Sequence, residues 1–266
     1  MKHIVSRDNP HFKLLKRLCN SGRERRKSGL IILDGMHLLE SYAQHIGHLD
    51  EVIVSRTGLE HPEIRAFVEC VPQDTKVCVL LDGLYADLAQ VETPSGIMAI
   101  AGCPKTLRDP DVGADAVLLD GVQDPGNLGS IFRTAAAAGV GQVLLSSACA
   151  QAWSPKVLRA AMGAHFLLDI FESEDLPTFL AHYQGESIVT SLEAQATYFS
   201  LDLRRSIAWI FGNEGQGVRP EVSAHARRQV KIPMPGSTES LNVGAAVAIC
   251  LFEAVRQRRE EFSAAI

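Results

Sequence analysis

The segment DGVQDPGNLGSIFR, residues 120–133, holds an amide and a guanidinium that could serve a reaction, Asn127 and Arg133. An amide both donates and accepts hydrogen bonds, and a guanidinium binds phosphate or carboxylate through two parallel hydrogen bonds. The position of Asn127 ahead of an apolar run predicts that it caps a helix covering about 128–138. Asn127 acting only as a cap, and Arg133 only as a surface charge, is the alternative interpretation.

A glycine-rich segment, IFGNEGQG at residues 210–217, contains the acidic residue Glu214. Its glycines, Gly212, Gly215 and Gly217, permit positive φ and a close approach of backbone to a ligand. No Gly-Lys-Ser/Thr follows, so the segment is not a P-loop. Nor does the chain contain a GxGxxG after its first strand, so a Rossmann-type site for a nicotinamide cofactor is unsupported.

The third segment is IPMPGSTESLN, residues 232–242, in which two prolines stiffen the loop. Ser240 and Asn242 can cap the helix that follows or face a ligand. That helix starts with small residues, which suits either close packing against another segment or an ordinary buried helix.

Each of the three segments follows a predicted strand, namely 117–119, 207–211 and 229–232. Further strands are predicted at 142–146, 166–170 and 187–190, and helices at 156–162, 175–183, 220–226 and from about 242. Short apolar strands between helices indicate a parallel sheet covered on both faces. Ligands of such sheets bind beyond the carboxyl ends of the strands, so the three loops could converge on one pocket.

Taken together, NxGxxxR, FGNEGxG and IPMxGxxxSLN followed by a small-residue helix resemble the three motifs of the SpoU/TrmH RNA ribose 2′-O-methyltransferases. The resemblance covers residues 117–258. It implies an α/β fold whose C-terminal knotted (deep trefoil) parallel-sheet domain binds S-adenosylmethionine. It also implies a homodimer built through that domain, in which one protomer's residues complete the other's site.

The resemblance assigns the cofactor site to residues matching the motifs: Thr190, Gly212, Ile232, Ser240 and Leu241. It assigns catalysis to Asn127, Arg133, Glu214, Ser240 and Asn242. In the family the arginine matching Arg133 is given the activation of the ribose hydroxyl. Because an arginine side chain keeps its proton at neutral pH, Arg133 could instead bind the target phosphate. Glu214 could fix its loop by accepting backbone N–H bonds.

The first half of the chain predicts a smaller α/β domain. Its predicted strands are 30–33, 51–55, 77–81 and 97–101, and its predicted helices are 10–18, 37–45 and 62–70. Residues 103–113 are rich in proline, glycine and charge and indicate a boundary. We therefore expect an RNA substrate-binding domain over residues 1–107 and a catalytic domain over 114–266. The segments SRDNPHFKLLKRL and LDGMHLLE resemble the substrate-binding domain of rRNA-directed members more weakly.

Charge is distributed unevenly along the chain. The formal net charge is −5, yet residues 1–27 hold nine basic and two acidic residues, which leaves −12 for the rest. Local positive fields, not average charge, bind phosphate backbones. The candidate RNA contacts are Arg7, Arg17, Arg23, Arg25 and Arg26, with Lys156 and Arg159 extending the surface. A solvated charged face is the alternative for any one of them, and Trp153 either stacks on a base or packs against the sheet.

Six cysteines without a CxxC pair predict buried free thiols in a reducing compartment and no metal site. No apolar run approaches the roughly 20 residues of a membrane span, and the N-terminus lacks an apolar signal core. We therefore expect a cytoplasmic protein.

These observations favour an S-adenosylmethionine-dependent methyltransferase of rRNA, most simply of the 23S type. A tRNA ribose methyltransferase and a non-catalytic RNA-binding factor of ribosome assembly are the alternatives.

Overall fold

A computed structural model describes residues 1–89 and 91–263 of the chain. They form two compact units. The first unit comprises Met1–Lys105 together with Trp153–Phe166. The second comprises Thr106–Ala152 together with the residues from Leu167 onward.

The first unit contains a mixed sheet with the strand order β1-β4-β3-β5-β2, in which only β5 runs antiparallel to its neighbours. The strands are β1 (Lys2–Ile4), β2 (Leu30–Asp34), β3 (Glu51–Ser55), β4 (Lys76–Leu80) and β5 (Ile97–Gly102). The helices of residues 1–105 are α1 (Pro10–Asn20), α2 (Gly22–Ser28), α3 (Met36–His45), α4 (Pro62–Cys70) and α5 (Asp82–Leu88), with a 3-10 turn at Gly58–Glu60.

Helix α1 shows how the apolar pattern sets this fold. Phe12, Leu15 and Leu18 recur on one face and are at most 2% exposed, as their spacing predicts. They pack with α5 on one side of the sheet, while α3 and α4 cover the other side. The basic segment after α1 was not predicted as a helix, but it forms α2, which is capped at its start by the Ser21 side chain. Strand β1 and helix α5 were also not predicted.

The second unit contains a six-stranded parallel sheet with the order β11-β9-β10-β6-β7-β8. Its strands are β6 (Ala116–Asp120), β7 (Gln142–Leu145), β8 (Asp169–Glu172), β9 (Glu186–Thr190), β10 (Ile207–Gly212) and β11 (Arg228–Val230). The helices beyond residue 105 are α6 (Pro125–Ala137), α7 (Pro155–Ala161), α8 (Leu176–His182), α9 (Pro220–Ser223) and α10 (Val243–Ser263), with 3-10 turns at Ala164–Leu167 and Tyr198–Ser200. Residues 166 and 167, predicted as strand, belong to the first of these turns.

Both faces of the second sheet are buried, as predicted for a parallel sheet. Along β10, Ala208 and Ile210 pack with α8 and α9, whereas Trp209 and Phe211 alternate onto the other face. Among the described residues no helix is long and apolar enough to cross a membrane, and no group of His, Cys, Asp or Glu is arranged to hold a metal ion.

Helix α7 belongs to the first unit although it lies far along the chain. Leu158 and Phe166 join the apolar core beneath α3 and α4, and Trp153 packs against the same core. Arg159 forms an ion pair with Asp34, whose side chain is 6% exposed. Trp153 is therefore half-buried against this core, which agrees with packing, one of the two alternatives predicted for it.

Replacing Arg159 with alanine is expected to lower the free energy of unfolding by roughly 2 to 3 kcal/mol, because it leaves a buried carboxylate unpaired. Urea denaturation measures the loss. Lys13 pairs with Asp8 at an exposed site, so Lys13→Ala is the control, with an expected loss of about 1 kcal/mol or less. Equal free energies of unfolding of the two variants would show that the ion pair between Arg159 and Asp34 does not stabilise the fold.

The thiols are less uniformly buried than predicted. Cys70 is exposed and Cys103 and Cys149 are half-buried, so the prediction of buried thiols holds only for Cys19, Cys78 and Cys250. Burial raises the pKa of Cys19 and of Cys250 to about 12, which keeps both thiols protonated.

Candidate functional site

Helix α6 begins three residues earlier than predicted, which changes the position of Asn127. The cap is Asp124, whose side chain accepts from the Asn127 backbone N–H at 2.7 Å, and Pro125 occupies the first helical position. The prediction that Asn127 is the N-cap is therefore wrong. Its side-chain amide is free from capping and makes two hydrogen bonds to other loops.

The Asn127 amide connects the three sequence motifs. Its Nδ2 donates to Oε1 of Glu214 at 2.9 Å, and its Oδ1 accepts from Nδ2 of Asn242 at 2.8 Å. Asn242 in turn caps α10, since its Oδ1 accepts from the backbone N–H groups of Gly244 and Ala245. Asn242, Asn127 and Glu214, which we call the amide chain, are thus held together across more than one hundred residues of sequence.

The loop after β10 is shaped by Asn213, which the sequence analysis did not single out. Its Oδ1 accepts from the backbone N–H groups of Gly215 and Gln216, and its Nδ2 donates to the carbonyl of Gly121. The suggestion that Glu214 fixes this loop by accepting backbone N–H bonds is therefore wrong. Asn213 performs that function, and Glu214 accepts from Asn127.

Gly212 is required by packing inside the same loop. A Cβ at Gly212 would lie 2.1 Å from the carbonyl carbon of Gly217, so any larger residue would force the turn open. Gly217 has a φ of +71°, which disfavours a side chain at that position as well. These two glycines let the chain return closely on itself at the end of β10.

An ion pair between a buried carboxylate and a half-exposed arginine anchors the far end of this loop. The carboxylate of Asp120, at the end of β6 and 1% exposed, accepts from the backbone N–H and the Nε of Arg219 at 2.9 and 2.8 Å. Neither residue was predicted to act at the site. Asp120 opens the first motif, which was the available signal, but its partner lies 99 residues away.

A cavity of about 640 Å³ lies at the carboxyl ends of β9 and β10. Its wall includes all five residues predicted to hold the cofactor: Thr190, Gly212, Ile232, Ser240 and Leu241. Glu214 also lines it, which places the end of the amide chain at the cavity wall. The volume falls within the roughly 300–1,000 Å³ typical of small-ligand sites.

Arg133 is the predicted catalytic residue that does not join this group. It is exposed on α6 and, within the part of the chain that the structure describes, makes no hydrogen bond or ion pair. It lies six positions after Asn127 along the helix, which places it about a third of a turn away around the helix axis.

The predicted RNA contacts all belong to the first unit and differ in exposure. Arg17, Arg23, Arg26 and Lys156 are exposed, and Arg7 is exposed beside Asp87 at 2.6 Å. Arg25 is buried, and its guanidinium donates to the carbonyls of Leu18 and Cys19.

Comparison with known proteins identifies the family. The SpoU rRNA methylase family matches residues 115–252, more than half of the chain. The chain belongs to this family. It is an S-adenosylmethionine-dependent RNA 2′-O-ribose methyltransferase, which confirms the predicted family, enzyme class and cofactor. Residues 9–99 match the MRM3-like substrate binding domain.

Several relatives of this SpoU methylase align over nearly the whole chain. An uncharacterized tRNA/rRNA methyltransferase of Synechocystis sp. is 34% identical and aligned over 96% of this chain and 94% of that protein. The 23S rRNA (guanosine(2553)-2′-O)-methyltransferase RlmP of Bacillus subtilis is 31% identical over 95% of this chain and 98% of its own.

Solved structures agree with this assignment. The crystal structure of an RNA 2′-O ribose methyltransferase, 30% identical, superposes with a TM-score of 0.84 over 96% of this chain and 99% of that one. The AdoMet-bound rRNA methyltransferase of Sinorhizobium meliloti, 26% identical, gives a TM-score of 0.81 over 96% and 97% of the two chains.

Proposed function

We propose that this SpoU methylase transfers a methyl group to a ribose 2′-hydroxyl of ribosomal RNA, of the 23S type. The observation that carries the proposal is the amide chain ending at the wall of the cavity, because it joins polar groups of all three motifs at one place. The relatives named as 23S rRNA methyltransferases, aligned over nearly the whole chain, support the choice of RNA.

The cavity fits S-adenosylmethionine in size and in the chemistry of its wall. Ile232 and Leu241 offer apolar surface, while Thr190, Ser240 and the backbone of the glycine-rich loop offer hydrogen-bonding groups. We propose these residues, with Gly212, as the cofactor site. When bound, S-adenosylmethionine supplies an electrophilic methyl group on a positively charged sulfur.

The amide chain has a fixed direction, which we propose is its role in catalysis. Because Asn242 Oδ1 accepts from the start of α10, its Nδ2 must face Asn127. Asn127 then presents its Oδ1 to Asn242 and its Nδ2 to Glu214, and only an acceptor can end the chain. Glu214 is therefore a positioning residue, with its carboxylate holding Asn127 in one orientation beside the reactive ribose.

Glutamine at position 214 is expected to preserve much of the activity, because its carbonyl oxygen also accepts from Asn127. Glu214→Ala removes the acceptor and is expected to lower kcat by about 10²-fold through loss of orientation. Single-turnover methyl transfer measures both. Equal loss in the glutamine and alanine variants would contradict positioning and indicate that Glu214 itself accepts the hydroxyl proton.

We propose that Arg133 completes the site as a ligand of the target phosphate. It is exposed and uncommitted within the described protomer, as expected of a residue that acts only when RNA or a second copy is present. We further propose that this SpoU methylase is a homodimer built through the second unit and carries the trefoil knot of the family. Arg133 and Ser240 would lie near a site to which both protomers contribute.

RNA capture is proposed for the first unit. We propose the exposed residues Arg17, Arg23 and Arg26 on α1 and α2 as its basic face, and Arg7 and Lys156 as further RNA contacts of this unit. Arg25 and Arg159 are committed to protein carbonyls and to Asp34, so we leave both out of this face. The proposed domains are residues 1–107 for RNA binding, with residues 153–166 packed against them, and the rest of 114–266 for catalysis, acting in the cytoplasm.

Methyl-labelled S-adenosylmethionine, offered with 23S rRNA from cells lacking the protein or with bulk tRNA, tests the proposal. The expected product is a 2′-O-methylated nucleoside from 23S rRNA alone. Label on a base, or in tRNA only, would overturn the target. Absence of label together with absence of cofactor binding in calorimetry would support a non-catalytic RNA-binding factor.

A further inference from the structure

A second cavity, of about 410 Å³, lies in the first unit at the carboxyl ends of β1, β3 and β4. The three strands are parallel and end level with one another, since both Ile4 and Ser55 pair with Leu80. The residues just beyond the strands, Val5, Arg56 and Leu81, line the cavity. Ligands of open sheets bind at this end of parallel strands, so the position itself is one where binding is expected.

The wall combines positive charge with exposed apolar surface. Arg56 and Arg65 line it, both are exposed, and neither forms an ion pair with any residue in the described part of the chain. Val5 is 69% and Leu81 38% exposed, so both present apolar surface at the cavity. Glu60 adds one carboxylate at the same wall.

Backbone contacts fix the main chain of Arg56 and the side chain of Arg65 beside the cavity. The backbone N–H of Arg56 donates to the carbonyl of Leu80 at 2.9 Å, which fixes Arg56 to the end of β4. The Nε of Arg65 donates to the carbonyl of Leu59 at 3.3 Å, which draws its guanidinium toward the cavity wall. Guanidinium groups that are exposed and form no ion pair are typical ligands of phosphate.

We propose that this cavity binds an unpaired nucleotide of the RNA substrate, outside the nucleotide that is methylated. The arginines would bind the phosphate, the base would lie on Val5 and Leu81, and Glu60 would accept from an N–H group on the base edge, such as N3–H of uracil. Splayed-out bases of single-stranded RNA are the part of RNA that proteins recognise in this manner. The inference rests on the proposed function for the identity of the polymer.

Charge reversal at the cavity tests the inference in the full-length protein. Arg56→Glu is the main variant, because the Arg56 side chain has no bond to break. Lys76→Glu is the matched control, since Lys76 is exposed at the opposite end of β4. Arg56→Glu is expected to weaken binding of polyuridylate by roughly tenfold and to lower the salt slope by about one. Lys76→Glu should bind as the wild type does.

Two further measurements separate a nucleotide site from general electrostatics. Val5→Ser is expected to weaken polyuridylate binding without changing the salt slope, because it removes apolar surface and no charge. Polyglutamate is expected not to bind in an Arg56-dependent manner. Identical affinities of the Arg56→Glu and Lys76→Glu proteins, or Arg56-dependent binding of polyglutamate alone, would overturn the inference.

The binding assay does not depend on methyl transfer, so failure of this inference can be distinguished from failure of the proposed function. A wild-type protein that methylates 23S rRNA while Arg56→Glu binds RNA normally would defeat this inference and leave the proposed function intact. If the wild-type protein binds polyuridylate in an Arg56-dependent manner but methylates no rRNA, the nucleotide site would stand and the proposed function would fail.

Discussion

Replacing Asn242 with aspartate is expected to lower kcat for methyl transfer by about 10²-fold or more while leaving the fold intact. The introduced carboxylate still caps α10, because aspartate is as good an N-cap as asparagine. It cannot donate to the Oδ1 of Asn127, however, and faces that oxygen as a second acceptor. If Asn127 turns to donate to it, the Oδ1 of Asn127 faces Glu214 instead, so no orientation satisfies the amide chain.

Single-turnover transfer, cofactor calorimetry and thermal unfolding together isolate this effect. Asn242→Ala is the comparison, because it loses the cap as well as the donor and should cost about 1 kcal/mol of stability. The aspartate variant should unfold at the wild-type temperature and still lose activity. An active aspartate variant would show that the direction of the amide chain does not matter for catalysis.

Replacing Arg133 with alanine is expected to abolish detectable methyl transfer, a loss of at least about 10²-fold, with no change in cofactor affinity. The residue is exposed on α6 and lies outside the wall of the cofactor cavity, so its loss should leave the empty protein unaltered. Transfer to 23S rRNA and calorimetry with S-adenosylmethionine measure the two quantities. Weakened cofactor binding would place Arg133 at the cavity instead.

Lysine at position 133 distinguishes a phosphate ligand from a base. A phosphate ligand requires positive charge and loses only the bidentate geometry, so Arg133→Lys should retain partial activity with the wild-type pH profile. A base would impose its own titration, and the rate of the lysine variant would then rise toward the lysine pKa of about 10.4. Partial activity with the wild-type pH profile is the outcome expected here.

The three motif loops were predictable from sequence because their glycines, prolines and amides follow strands whose apolar runs are short and regular. The start of α6 was missed although the signal was present. Asp124 followed by Pro125 is an N-cap with proline at the first helical position, and it competes with Asn127 for the same role. Choosing the earlier cap would have freed the Asn127 amide for the site.

Other features depend on partners far apart in the chain, which periodicity does not show. The orientation of Asn127 follows from Asn242, 115 residues away, and the Asp120 anchor depends on Arg219. Residues 153–166 read as part of the catalytic half, yet Leu158 packs in the core of the first unit. Arg25 appeared to be one more surface cation and is buried between α1 and α2.

The central claim is that the methyl group goes to a ribose 2′-oxygen. Its most direct test is a 23S rRNA fragment carrying 2′-deoxyribose at the nucleotide that the wild-type protein methylates, compared with the all-ribose fragment in single-turnover transfer. The account predicts equal binding of both fragments and no transfer to the deoxy one. Undiminished transfer to the deoxy fragment would place the methyl group elsewhere and contradict the account.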